Sequence, residues 1–140
     1  MKLVFLASYP RSGNTFLRTI LNRCFNLKSA SVYPNDLGNN KKLEADVGHL
    51  EWVSGKIPFG SFSQKYTLLK THALQDEYIK RAKQNGGHFK AIYIMRDARP
   101  AALSLYNFFG KSLPMEDVIF GHHRWGRWSD HVLSWTKGPS

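Results

Sequence analysis

Short apolar runs alternate with polar turns and helix-like segments along this chain. The runs are rich in branched or aromatic residues, and each is followed by a polar turn and then by apolar positions at helical spacing. They predict three buried parallel strands, at 3–7, 66–69 and 89–95, and helices at 13–25, 74–84, 100–109, 115–120 and 128–135. Strand, turn and helix repeated in this order predict a single α/β domain over 1–140, a three-layer fold in which helices flank a short parallel sheet.

The segment 29–65 departs from this rhythm. It carries many Gly, Pro, Asn and Ser residues, and it is long for a connection inside a compact domain. It therefore predicts a cap on the substrate side or a mobile loop. Its aromatic residues are available as apolar walls for an acceptor: Tyr33, Trp52, Phe59 and Phe62.

The first strand ends in a turn whose residues suit an anion. Ligands of parallel sheets lie at the carboxyl ends of the strands. Here Gly13 allows close approach of the backbone, Ser12, Asn14 and Thr15 supply polar groups, and Arg11 adds a positive charge. The turn is not a Walker A loop, which needs a Gly-Lys pair before its Ser or Thr. A simpler interpretation also stands: a capped helix with Ser12 as its N-cap and an exposed Arg11.

The second strand ends in Lys70, Thr71 and His72. A lone histidine is more often structural than catalytic. This one follows a Lys and a Thr at the carboxyl end of a strand in a basic protein. His72 is therefore a candidate general base.

The third strand is followed directly by Arg96, with Ser104 one to two turns into the next helix. Both would face the same edge of the sheet as the first two turns. Asp97 is explained equally well as a helix cap, and Arg99 as a surface charge.

The charge and composition of the chain restrict the possible classes of binding partner only in part. The chain has 20 Lys and Arg residues against 10 Asp and Glu, a formal net charge of +10, which attracts polyanions, phosphorylated small molecules or anionic membranes. No apolar run approaches the roughly 18 residues that span a bilayer. The single cysteine, Cys24, excludes an internal disulfide and fits a reducing compartment. We expect a soluble, cytoplasmic protein without a membrane partner, with Cys24 as an ordinary buried thiol.

Four segments of the chain, in their order, are similar to the sulfotransferases that use 3′-phosphoadenosine 5′-phosphosulfate (PAPS). The segments are ASYPRSGNTFLR, LLKTH, AIYIMRDARPAALSLYNF and WSDHVLSW. The resemblance implies that the first loop binds the 5′-phosphosulfate and that Phe16 stands where an aromatic residue stacks near the adenine. The loop residues concerned are Arg11, Ser12, Gly13, Asn14 and Thr15.

The same resemblance implies the remaining roles. Arg96 and Ser104 would bind the 3′-phosphate, His72 would be the catalytic base, and Lys70 would lie beside the transferring group. PAPS would be the co-substrate, 3′-phosphoadenosine 5′-phosphate (PAP) the product, and a small molecule with a hydroxyl or amine the acceptor. Lys70, Arg11 and the backbone amides of the loop would hold the sulfuryl oxygens and the leaving 5′-phosphate.

No metal is required by this scheme. His122 and His123 are adjacent in the chain, so they are not spaced to share one helix face as ligands. In the last segment, Trp128 and Trp135 are expected to pack the helix on the sheet. His131 could face the acceptor cleft, and the sequence does not decide this.

Some features depart from the family pattern. Arg11 stands where many members have Lys, so any help to the leaving group from it is electrostatic. Members are usually about twice this length, and no Arg-Lys-Gly motif follows the last segment to complete the 3′-phosphate and adenine site. The chain is then either a fragment or a minimal form completed by a second subunit. A three-stranded sheet with an uncovered edge would favour a homodimer.

Two other functions stay open at this stage. A truncated domain could bind PAPS or PAP without turnover. A basic protein with aromatic residues among its cations could instead bind nucleic acid. The residues that suggest this are His122, Arg124 and Arg127, among Trp125 and Trp128. We rank nucleic acid last, because the basic strand ends already have a polyanionic ligand to explain them.

Overall fold

A computed structural model describes residues 2–51, 65–76 and 89–137. Within these ranges four strands form one parallel sheet in the order β2-β3-β1-β4. The strands are β1 (Lys2–Ser8), β2 (Ser29–Ser31), β3 (Tyr66–Thr71) and β4 (Phe89–Ile94). The short parallel sheet with flanking helices confirms the predicted fold class.

Five helices are described beside the sheet. They are α1 (Asn14–Phe25), α2 (Lys41–Val47), α3 (Ala98–Phe108), α4 (Met115–Phe120) and α5 (Trp128–Thr136). Four of them match predicted helices to within two residues at each end. The predicted helix at 74–84 lies mostly outside the described residues. No helix in the described part of the chain is long and apolar enough to cross a membrane.

The prediction of a three-stranded sheet was wrong, because a fourth strand, β2, lies in the segment interpreted as a cap or loop. The helix α2 lies in the same segment. The β2 residues Ser-Ala-Ser contain no branched or aromatic side chain, so the strand leaves no apolar signal. It is nevertheless fully buried beside β3, with Ala30 opposite Leu69. Residues 52–64, with Trp52, Phe59 and Phe62, lie outside the described residues.

One face of the sheet carries the main apolar core. Leu3, Phe5 and Ala7 alternate along β1 and pack with Leu69 and with Trp135 of α5. Trp135 therefore packs its helix on the sheet, as predicted. Its Nε1–H also donates to the carbonyl of Ala73 at 2.9 Å.

The opposite face is covered by α1, which turns polar residues toward the sheet. The buried residues of this helix are Asn14 and Arg18, one turn apart. Cys24 lies near the helix end between the exposed Arg23 and Phe25, and it is exposed. The prediction of a buried thiol was wrong because α1 turns a polar stripe, not an apolar one, toward the sheet.

Candidate active site

The loop between β1 and α1 is held in an uncommon backbone conformation. Arg11 has φ 65° and Gly13 has φ 101°, both in the left-handed region. The first helical bond runs from Leu17 N–H to the Gly13 carbonyl at 3.0 Å. The N–H groups of 14–16 therefore have no intrahelical acceptor, which is the arrangement that favours an anion. The N-cap is Gly13 without a side-chain cap, so the interpretation of Ser12 as N-cap was wrong.

Asn14 fixes this loop to the end of β1. Its Nδ2 donates to the Leu6 carbonyl at 2.8 Å and to Ser8 Oγ at 3.2 Å. Ser12 Oγ and Asn14 Oδ1 are buried and have no hydrogen-bond partner among the described residues. Buried polar atoms normally have partners, so these two atoms fit a loop built to meet a polar ligand.

The residues that follow β4 contact the loop that follows β1. Arg96 Nη1 donates to the Arg11 carbonyl at 2.9 Å, and Arg11 Nε donates to Ser104 Oγ at 3.1 Å. Trp128 Nε1 donates to the Arg96 carbonyl at 3.1 Å, which ties α5 to the same place. Three residues named from the sequence, Arg11, Arg96 and Ser104, are thus brought together.

Asp97 and Arg99 act as a helix cap and a surface charge. Asp97 accepts from the backbone N–H of Arg99 at 2.9 Å and so caps α3. The Arg99 guanidinium pairs with the same carboxylate at the surface.

The carboxyl end of β3 places His72 against the end of β1. Its Nδ1–H donates to the Ser8 carbonyl at 2.8 Å, and a carbonyl can only accept. The neutral ring therefore carries its proton on Nδ1 and leaves the Nε2 lone pair to act as a base. Burial, reinforced by the charge of Lys70, lowers the pKa of His72 to about 3. The imidazole is thus neutral near pH 7, and a bound anion would raise its basicity.

His72 is also held through its backbone and its ring face. Its N–H donates to Tyr33 Oη at 2.9 Å, and the two rings are stacked with centroids 5.8 Å apart. The Trp125 ring meets His72 edge-on at 6.4 Å. The Arg124 guanidinium lies 4.0 Å from the centre of the Trp125 ring. Tyr33, named from the sequence as an acceptor wall, therefore lies against the candidate base.

His131 lies in the protein interior and forms a hydrogen bond with the backbone of His72. It is fully buried, and its Nε2–H donates to the His72 carbonyl at 2.9 Å. Tyr93 Oη donates to His131 Nδ1 at 2.9 Å. Burial lowers the pKa of His131 to about 4. Sequence reasoning left this residue undecided, because no local pattern distinguishes a buried histidine from one in a cleft.

Lys70 is buried on the α1 side of the sheet and is bonded to the carboxylate of Asp36. Arg18 Nη1 donates to the other oxygen of that carboxylate at 3.0 Å. Burial by itself would raise the pKa of Asp36, but the charges of Lys70 and Arg18 outweigh it and hold that pKa below its usual range. Sequence reasoning missed Asp36 and Arg18. The one available signal was that Asp36 is the first acidic residue of the chain.

Other predicted residues lie at the margin of this site. Thr15 is partly buried and Phe16 is 71% exposed on the first turn of α1. His122 Nδ1 lies 2.9 Å from Asp117 Oδ1, whereas His123 Nε2 lies 3.2 Å from Tyr9 Oη. Among the residues that the structure describes, no group of three or more His, Cys, Asp or Glu side chains could hold a metal ion.

The chain is similar in sequence to known sulfotransferases along most of its length. The sulfotransferase domain family matches residues 2–139. Sulfotransferase 1B1 of Mus musculus is 28% identical over 96% of this chain and 48% of its own length. Sulfotransferase 1A1 of Rattus norvegicus shows the same three values. Flavonol 4′-sulfotransferase of Flaveria chlorifolia is 25% identical over 96% of this chain and 44% of its own length. The chain spans about half the length of the curated relatives it matches.

Proposed function

The chain belongs to the sulfotransferase family, and from this premise we propose that it transfers the sulfuryl group of PAPS to a hydroxyl or amine of a small acceptor. The observation that carries the proposal is the position of His72: its Nδ1–H bonds to the Ser8 carbonyl at the end of β1, the strand that leads into the loop of Arg11 to Thr15, so Nε2 keeps its lone pair. A base beside an anion-binding loop is what an in-line transfer requires.

In the proposed step His72 Nε2 takes the proton of the acceptor hydroxyl or amine. The acceptor oxygen or nitrogen forms a bond to sulfur as the bond between sulfur and the 5′-phosphate oxygen breaks, and PAP leaves with the electron pair. Arg11, Lys70 and the N–H groups of the loop stabilise the negative charge on the sulfuryl oxygens and the leaving phosphate. These groups supply the charge stabilisation without a metal ion.

The donor nucleotide would be held at both of its ends. Ser12, Gly13 and Asn14 would meet the 5′ end, where two buried polar atoms have no partner among the described residues. Arg96 and Ser104 would meet the 3′-phosphate, and Phe16 would offer its exposed ring to the adenine.

The aromatic walls of the His72 site support a flat or apolar acceptor. Tyr33 stacks on His72, and Trp125 meets its edge, so a flat or apolar acceptor would find aromatic surface there. The relative from Flaveria chlorifolia is named for a flavonol, which is compatible with such walls. A cytoplasmic location is part of the same proposal, since the chain cannot form an internal disulfide.

Binding and turnover are tested separately. Calorimetry with PAP should give saturable binding, and absence of binding at millimolar PAP would remove the proposal. A sulfate-transfer assay with mixed phenols, alcohols and amines should then show activity that falls by roughly 100-fold or more in His72→Ala, with PAP binding retained. His122→Ala, at an exposed histidine, is the matched control. Equal activity in wild type and His72→Ala would exclude His72 as the base.

A second candidate is a domain that binds PAPS or PAP without turnover. It is favoured by the pKa of His72, which burial lowers to about 3 and which makes the imidazole a weak base. Saturable PAP binding without transfer to any acceptor would support it. Nucleic-acid binding ranks below both, and a steep salt dependence of oligonucleotide binding that PAP does not compete would be needed to revive it.

A further inference from the structure

Three charged side chains are buried together on the α1 side of the sheet. The Arg18 side chain is 0% exposed, that of Asp36 5% and that of Lys70 8%. Burying a charge costs several kcal/mol unless it is paired and hydrogen-bonded. A cluster of two cations and one anion beneath the candidate site therefore needs a physical reason.

The carboxylate of Asp36 is divided between the two cations. One oxygen accepts from Arg18 Nη1 at 3.0 Å, and the other accepts from Lys70 Nζ. Arg18 is fixed in turn, because its Nε donates to Ser29 Oγ at 2.8 Å and its Nη2 to the Ser29 carbonyl at 3.2 Å. Its Nη2 also lies 3.1 Å from His49 Nδ1. Arg18 thus anchors Asp36 to the edge strand β2.

Lys70 lies on the reactive side of this cluster. His72 follows directly after β3, and the charge of Lys70 helps to lower its pKa, so the ammonium lies near the His72 ring. An ammonium has three N–H donors, so the bond to Asp36 leaves it able to donate to a bound anion as well. Burial lowers the pKa of Lys70, the nearby charges of Arg18 and Arg11 act in the same direction, and Asp36 opposes all of them.

We propose that Asp36 is a positioning residue for Lys70: anchored by Arg18, its carboxylate keeps the ammonium charged and directed to the His72 side of the anion-binding loop. This inference rests on the proposed function, in which Lys70 stabilises the transferring sulfuryl group. In this proposal Asp36 acts through its bond to Lys70, and its charge also opposes the lowering of the His72 pKa. A purely structural ion pair would hold the chain after β2 to the sheet, and its loss would leave the pH dependence of PAP affinity unchanged.

The first test needs no ligand. The full chain, labelled with ¹³C and ¹⁵N lysine, is titrated by NMR, and Lys70 is assigned by its loss in Lys70→Met. We expect Asp36→Asn to lower the pKa of Lys70 by about one unit or more, since an opposite charge at contact shifts a pKa by about one to three units. The control, Asp46→Asn, removes the same charge from a partly exposed pair with Arg23. An unchanged Lys70 pKa in Asp36→Asn would overturn the proposal.

The second test asks whether the charge matters to the anion. In Asp36→Asn, PAP affinity should fall at least tenfold between pH 7 and pH 9 beyond any change in wild type and Asp46→Asn. Adding Lys70→Arg to Asp36→Asn should flatten the profile, because a guanidinium stays charged. A variant with lower stability and the wild-type pH profile would show a merely structural role and would overturn the proposal.

The two proposals fail in different ways. If wild type binds no PAP but Asp36→Asn shifts the Lys70 pKa, the proposed function fails and the control of Lys70 by Asp36 holds. If PAP binds and the Lys70 pKa does not move, the function stands and the role of Asp36 is excluded.

A second pair of variants serves as a control in case Asp36→Asn does not fold. Asp36→Asn leaves the Arg18 charge buried without its partner, which can unfold the chain. The same titration then compares Arg18→Met with Arg18→Met/Asp36→Asn, in which no buried guanidinium remains. A lower Lys70 pKa in the double variant supports the proposal, and equal values overturn it.

Discussion

At the scale of single residues, the position of His72 results from three separate contacts. The Ser8 carbonyl sets the tautomer of its ring, Tyr33 accepts from its N–H, and His131 donates to its carbonyl. Each contact joins residues at least 39 positions apart in sequence. The candidate base was predictable from its place after a strand, whereas the groups that orient it were not, because local patterns carry no information about such distant partners.

The contact from His131 gives a prediction on stability. His131→Leu leaves two polar atoms without their partner, Tyr93 Oη and the His72 carbonyl, so we expect a loss of about 2–4 kcal/mol in the free energy of unfolding at pH 7. His131→Gln keeps an amide donor near the same place and should lose about 1 kcal/mol or less. Urea unfolding measures both, and equal losses would show that shape alone matters at this position.

The pKa of His131 also gives a prediction on how the free energy of unfolding depends on pH. The pKa of His131 is about 4 in the folded chain against an ordinary 6.5. Between these values the unfolded chain binds more protons, so this residue lowers stability as the pH falls, by about 1.4 kcal/mol per pH unit at most. Unfolding at pH 7 and pH 5 should therefore show less acid sensitivity in His131→Gln than in wild type. Equal sensitivity would contradict the burial of a neutral ring.

At the scale of elements, the turn chemistry around α4 decides how α5 reaches the site. Gly121 ends α4 with φ 75°, and a Cβ there would lie 2.3 Å from Arg127 N. Only glycine permits this approach of the chain to itself. The approach leads the backbone into α5, which carries Trp128 and His131 to the strand ends.

Gly121→Ala should therefore cost more than an equally strained substitution elsewhere. Gly110 has φ 61°, and a Cβ there would meet nothing within 4 Å, so Gly110→Ala should lose about 1 kcal/mol from backbone strain alone. Gly121→Ala adds the clash with backbone and should lose about 3 kcal/mol or more. Thermal or urea unfolding of both variants checks the difference, and similar losses would show that the turn relaxes freely.

Element prediction followed the strength of the local signal. The helix Met115–Phe120 was predicted with its observed bounds, and the apolar runs located β1, β3 and β4. The strand Ser29–Ser31 was missed because its small residues gain their burial from β3 and Arg18 and not from their own hydrophobicity. The helix Lys41–Val47 was missed with it, inside the segment predicted as a cap or loop.

At the scale of the whole molecule, basic residues from three strand ends converge although the chain carries a net charge of +10. Their mutual repulsion is offset in two ways. Asp36 pairs the buried cations, and Arg11 and Arg96 bond to neutral acceptors, Ser104 Oγ and the Arg11 carbonyl. Such an arrangement leaves positive potential for an anionic ligand.

The sheet edge gives a prediction on assembly. Within the described sheet β4 is an edge strand, and Ile92 on it is 43% exposed. We expect a homodimer by sedimentation velocity, dissociated by Ile92→Lys. Ile119→Lys, at a 55% exposed position on α4, should leave the dimer intact. A stable wild-type monomer with full PAPS affinity would contradict this expectation.

The sequence by itself determined where buried strands end and which polar residues follow them, because apolar runs and turn residues are local patterns. From these it placed Arg11, Lys70, His72 and Arg96 at one edge of a parallel sheet. Only the tertiary structure decided which partners these groups have. The tautomer of His72 and the burial of Asp36 with two cations depend on contacts between distant segments, and their energies are set by desolvation that no local pattern encodes.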